Sequence, residues 1–129
     1  MRNDPNEKRS NRYLGHHLPS GACYVSVNGK ELLPGPSQQI WNHSPDGFEW
    51  GYCGSGPAQL ALAILLYEYG DPILARWCHQ DFKRDVIAGF PRQRDLGWTM
   101  SSAAIDAWMA AHPPDEEQLQ VLRLLHGEV

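Results

Sequence analysis

The chain has 129 residues, of which 42% are hydrophobic and 20% charged, with five tryptophans; that suffices for one buried core, leaves no room for two, and excludes a wholly disordered chain. Fifteen acidic against eleven basic residues give a formal charge of −4, which argues against a broad nucleic-acid-binding face. Cys23, Cys53 and Cys78 are widely spaced with no CxxC pair, so neither a disulfide framework nor a zinc ribbon is written in the sequence, and reduced thiols in the cytoplasm fit best.

Residues 1–12 (MRNDPNEKRSNR) are polar and carry no apolar segment of the secretory kind, so they read as a disordered leader ahead of a single domain over 13–129. In CYVSVNGKELLP, Val25 and Val27 alternate with Tyr24 and Ser26, and Asn28-Gly29 supplies the left-handed residues of a two-residue turn; the segment predicts a β-hairpin. Pro34 to Asp46 has a loop composition, with Ile40 and Trp41 expected to tuck onto the core. Phe48 and Trp50 flank Glu49 in a pattern that suggests a third short strand or extended segment.

Pro57 suits a first helical position, with Ser55 or Gly56 as cap, and Ala58 to Tyr69 is apolar nearly all round, interrupted mainly by Gln59 and Glu68. This predicts a central buried helix; its strongly apolar, uncharged part is about half the length that a bilayer requires. Gly70 ends it and Asp71-Pro72 begins a second helix, with Leu74, Cys78, Phe82 and Val86 on the apolar side and His79, Gln80, Lys83 and Arg84 pointing elsewhere. After a polar loop, Trp98 to Met100 can form an edge strand. Ser101 or Ser102 caps a third helix that ends at His112-Pro113-Pro114, and Asp115, Glu116 and Glu117 open a fourth. The expected class is α+β: a small N-terminal antiparallel sheet, hairpin plus short strand, packed on three to four helices.

The stretch WGYCGSGP invites a phosphate-loop reading, but Pro57 and Ala58 stand where such a loop needs lysine and Ser or Thr. The dinucleotide fingerprint fails on glycine spacing, and a nucleophile elbow fails because Cys53 and Pro57 flank Ser55 at the glycine positions. A less specific anion site survives: backbone N–H groups of Gly54, Ser55 and Gly56 at a helix start, with Trp50 or Tyr52 as a stacking face. Against it stands a structural account in which the glycines let the chain turn beside large rings. Cys53 at a helix mouth is a candidate nucleophile, with His43 or His79 as the histidine to be considered, though burial is the commoner fate of a free cysteine. Glu49 between two large rings is a candidate acid or base, with simple solvent exposure as the alternative. The six histidines show no HExxH and no paired Cys/His spacing, so no metal and no cofactor is expected.

FEWGYCGSGPAQLALAILLYEYGD, ARWCHQDFKRDVIAGFP and GWTM together resemble a bacterial, plasmid and phage family of small proteins classed as a domain of unknown function, whose pattern is WGYGGSGPAQLALAIL followed by F-K-x-x-V-I-A. The resemblance covers roughly Tyr13 to Trp108. It implies no known reaction or cofactor, and it suggests a stand-alone module of bacteria or mobile elements. Cys53 stands where the family pattern has glycine, so a thiol mechanism would not be a family trait.

The expected function is therefore a small cytosolic, non-catalytic interaction module with a protein partner, an inhibitor of a host-defence enzyme being one form. Five tryptophans support it, since aromatics are favoured at interfaces. The alternative is a phosphate- or nucleotide-binding or enzymatic site at residues 51–57, with Glu49 as acid or base. Nucleic-acid binding through Lys83 to Arg94 is weaker, because Asp81, Asp85 and Asp95 interleave the basic residues.

Overall fold

The computed structural model describes residues 9–126. Its elements run β1 (Arg12–His17), β2 (Cys23–Val27), β3 (Lys30–Glu31), α1 (Gly35–Ile40), α2 (Ser55–Tyr69), α3 (Pro72–Asp85), β4 (Trp98–Ser101), α4 (Ser102–Ala111) and α5 (Glu116–Leu125), with a 3-10 turn at Ile87–Gly89. The four strands form one antiparallel sheet in the order β3-β2-β1-β4. The class is α+β, as composition and patterning indicate.

The hairpin forms where Asn28-Gly29 puts it, both residues at positive φ (53° and 84°) between the paired Val27 and Lys30, which is the backbone of a tight turn matching strand twist. Trp98 to Ser101 is an edge strand on β1. Phe48 to Trp50, by contrast, joins no strand. The hairpin's partner is instead β1, which composition hides: its inward residues are Tyr13 and Gly15, while the apolar Leu14 faces out at 39% exposure.

Cross-strand register explains the choice of residues in β1. One row across the buried face is Val27-Tyr13-Met100 and the next is Val25-Gly15-Trp98. A Cβ on Gly15 would lie 2.3 Å from the indole of Trp98, so the glycine leaves the space that the large ring fills. A third row, His17 opposite Cys23, continues the same face because side chains alternate with period two.

α2 lies against this face and is covered by α3 on another side; Leu60, Ala61, Leu62, Ile64 and Leu65 are fully enclosed. Its cap is Gly54, without a side-chain hydrogen bond, so the helix starts ahead of the expected cap and Pro57 is its third residue. An N–H is unpaired there too, which is why proline is tolerated. Gly70 at φ 64° ends the helix, as expected. Asp71, Ser101 and Asp115 cap α3, α4 and α5 through their side chains. α5 is tied back by Arg123, whose guanidinium donates to both carboxylate oxygens of Asp71 at 3.0 and 2.6 Å. A short helix, α1, occupies part of the segment expected to be loop, and Trp41 behind it stands 43% exposed instead of tucking inward. His79, expected to point away from the core side of α3, is fully buried.

The two polar side chains of α2 anchor the rest. Glu68, almost fully buried, accepts from the Tyr13 hydroxyl (2.8 Å), Asn11 Nδ2 (3.1 Å) and Arg9 Nε (2.6 Å). Burial opposes its charge, but hydrogen bonds from Arg9, Ser102, Asn11 and Tyr13 outweigh that and hold its pKa below the ordinary value. The first eight residues of the expected leader lie outside the described residues. Arg9, Asn11 and Arg12 are placed otherwise than as a free arm: Arg9 pairs with Glu68 and Asp106, the Asn11 N–H donates to Ser102 Oγ while its carbonyl accepts from the Ser102 N–H, and Arg12 opens β1. Glu68→Ala leaves the buried Tyr13 hydroxyl without its acceptor and is expected to cost about 2–4 kcal/mol in urea unfolding, with Glu68→Gln retaining part of that.

Candidate functional site

In the glycine junction every large group has a packing role. Trp50 is almost fully buried, its indole N–H donating to the Pro91 carbonyl at 3.1 Å and its ring meeting Trp98 edge-on with centroids 5.7 Å apart. Gly51, at φ 87°, donates to the Ile87 carbonyl, and an added Cβ would stand 2.9 Å from the Phe90 carbonyl oxygen. The Tyr52 ring lies across Gly54 and carries the Arg92 guanidinium 4.8 Å from its centroid. Trp50 and Gly56 are thus enclosed, and of the residues proposed for an anion only Tyr52 and Ser55 are exposed and Gly54 half-exposed.

Gly56 has the most consequence for chemistry. A Cβ there would lie 2.5 Å from the Cβ of Glu49 and 3.1 Å from its backbone nitrogen, so the bare backbone of α2 is what seats Glu49. Glu49 does not face the glycine turn's thiol. Its carboxylate meets His17 and Cys23, the three offering one ligand atom each within 4.8 Å of one another. His17 and Cys23 are the third cross-strand row of the sheet, and the His17 ring packs on Trp50 with centroids 5.0 Å apart. Burial, the Glu49 charge and a hydrogen bond to Glu49 push the Cys23 thiol up to about 12, so by itself it is a poor nucleophile at neutral pH. Cys23 and Glu49 open onto a cleft of about 330 Å³ that Glu31 and Asp46 also line.

Cys53 is exposed, and the histidines expected near it are engaged elsewhere. His79 Nδ1 lies 2.7 Å from the Arg76 carbonyl, so it carries a proton and donates. Its Nε2 then accepts, at 2.9 Å, from Nε2–H of His43, whose ring stacks on Trp41 at 4.3 Å. The His17 and Cys23 pair escapes a reading along the chain because its members stand at the two ends of the five-residue connection 18–22 and meet only through register. The one signal available is the polar pair at the end of an alternation that begins at Tyr13.

The imidazole pair makes stability depend on pH. Burial first, and the charges of His43 and Lys83 after it, lower the His79 pKa from 6.5 to about 4 against the effect of its backbone hydrogen bonds; burial, with Lys83 and Arg76, lowers that of His43. Since both folded values lie below the unfolded ones, the stabilisation is complete above pH 6.5 and is lost as pH falls toward about 4. The melting temperature is expected to drop through that window, and His79→Gln to flatten the drop. Gly56→Ala is expected to destabilise by about 1–3 kcal/mol in chemical unfolding, because the clash with Glu49 Cβ and backbone exceeds the gain of up to about 1 kcal/mol from replacing glycine within a helix.

No curated protein and no solved structure matches the chain. A model of a family of unknown function, DUF6166, matches residues 13–111, from the central strand β1 to the end of α4. That span takes in the whole sheet, the buried helix and the glycine junction, and on it the chain belongs to the DUF6166 family.

Proposed function

We propose that the protein is a small non-catalytic interaction module of the cytoplasm that binds a protein partner through the face carrying Trp41 and Trp77. The observation that carries this reading is a pair of exposed tryptophans, 43% and 39% accessible, bordering a groove of about 340 Å³ between α3 and α5. Ile73, Arg76, Leu122 and His126 line the rest of it.

Trp41 is held in place before any partner arrives. His43 stacks on it, Arg76 places its guanidinium 5.0 Å from the ring centroid, and the carbonyl of Trp41 accepts from Gln59 at 3.2 Å. A fixed aromatic beside an arginine has the composition of an interface hot spot, and prior ordering lowers the entropic cost of association. Val121, Leu124 and Leu125 on α5 are exposed as well. Arg76 favours a partner that presents an apolar side chain next to a carboxylate.

Three free thiols, Cys53 exposed among them, suit a reducing compartment, and no helix among the described residues is long and apolar enough to cross a membrane. Arg84 pairs with Asp81, and Arg92 lies over Tyr52, so these charges favour a protein over a nucleic acid as partner. A bacterial, plasmid or phage setting, with a host-defence inhibitor as one form, belongs to the same reading and rests on the sequence resemblance. A photo-crosslinking residue at Leu122, in bacteria expressing the chain, is expected to give one discrete adduct that Trp41→Ala and Trp77→Ala each abolish. Each change should cost the complex about 2 kcal/mol, and Trp77→Ala should leave the melting temperature almost unmoved. No adduct, or one indifferent to both substitutions, overturns the reading.

A further inference from the structure

We infer that His17, Cys23 and Glu49 form a binding site for a divalent transition metal, with zinc the best fit. Imidazole nitrogen, thiolate sulfur and carboxylate oxygen are the donors that zinc accepts, and three protein ligands with a fourth position open is the pattern of an accessible zinc centre. Among the described residues this is the one group of three or more such side chains whose ligand atoms converge, all within 4.8 Å. Ligand atoms around tetrahedral zinc stand roughly 3.5 Å apart, given bonds of about 2.0–2.3 Å.

The surroundings point the same way through independent observations. The Nδ1 atom of His17 is shielded from solvent and has no hydrogen-bond partner, a condition rare for a buried polar atom unless something else satisfies it. Cys23 and Glu49 present their sulfur and carboxylate oxygen to one another within 4.8 Å, so a cation between them would displace the thiol proton. Metal binding would release that proton to solvent and leave the thiolate as ligand. The adjoining cleft is lined by Glu31 and Asp46 besides Glu49, against the guanidinium of Arg94 beside Gly21, an acidic excess that favours cations.

Three different segments build the site, and each is held from behind. His17 and Cys23 are fixed by β1 to β2 register and by the ring of Trp50; Glu49 is fixed by its seat on Gly56. Such support is what orients ligands for a metal. The fourth position is left to water or to a small oxygen- or sulfur-bearing molecule entering from the cleft. None of these residues belongs to the Trp41 and Trp77 face, so either reading can fail without the other.

The test uses the full chain, reduced and freed of metal by chelation, titrated with cobalt(II) and then competed with zinc. The expected result is one equivalent of cobalt with a thiolate-to-cobalt charge-transfer band in the near ultraviolet and ligand-field bands of tetrahedral intensity in the visible, all displaced by zinc. Cys23→Ser should remove the charge-transfer band, and His17→Gln and Glu49→Gln should each weaken zinc by more than about tenfold, the low end of the loss seen even for outer-shell partners. Cys53→Ser should change nothing. Zinc should also protect Cys23 from alkylation while Cys53 stays reactive. Absence of the band, its loss in Cys53→Ser, its survival in Cys23→Ser, or alkylation of Cys23 at the same rate with and without zinc overturns the assignment. Glu49 is exposed, so Glu49→Gln reports on binding even where a change at Cys23 disturbs the sheet.

Discussion

The structure depends on α2 being buried on nearly every side while carrying two polar side chains that have to be satisfied there. An unpaired buried amide or carboxylate costs about 1–3 kcal/mol or more, so each of the two must draw hydrogen-bonding groups to it. Gln59 uses its full capacity: its oxygen accepts from the backbone N–H of His43 and Ser44, and its nitrogen donates to Ser37 Oγ and the Trp41 carbonyl. Glu68 draws Tyr13, Asn11 and Arg9 to the other end. One helix thereby positions both the segment before it and the strand at the centre of the sheet.

The consequences at the Gln59 end concern recognition. Holding residues 41–44 against α2 puts His43 within bonding distance of His79 and leaves Trp41 at the surface, stacked and oriented. The exposed ring is therefore an extension of the core. Because that chain includes two imidazoles with lowered pKa values, the order of the Trp41 face and the acid stability of the fold are parts of one arrangement.

At the start of α2 the same close packing serves chemistry. Trp50 fills the end of the core, Gly56 admits Glu49, and the last cross-strand row of the buried face consists of polar residues, His17 and Cys23. The glycine junction thus acts at one remove: it carries no reacting group, and it brings a carboxylate to a histidine and a cysteine.

The α+β class, the Asn28-Gly29 turn, the buried helix with its two polar interruptions, the Gly70 stop and the edge strand at Trp98 were all determined by local chemistry: positive φ, helical periodicity and strand alternation read over a few residues. The central strand was not, because its inward positions are a tyrosine that needs Glu68 and a glycine that needs Trp98, and neither need is visible without the partner. Nor were the burial of His79, the exposure of Trp41 or the meeting of His17, Cys23 and Glu49. Those follow from register and from the close approach of two backbones at Gly56, distances set between segments far apart in the chain, which only the tertiary structure decides.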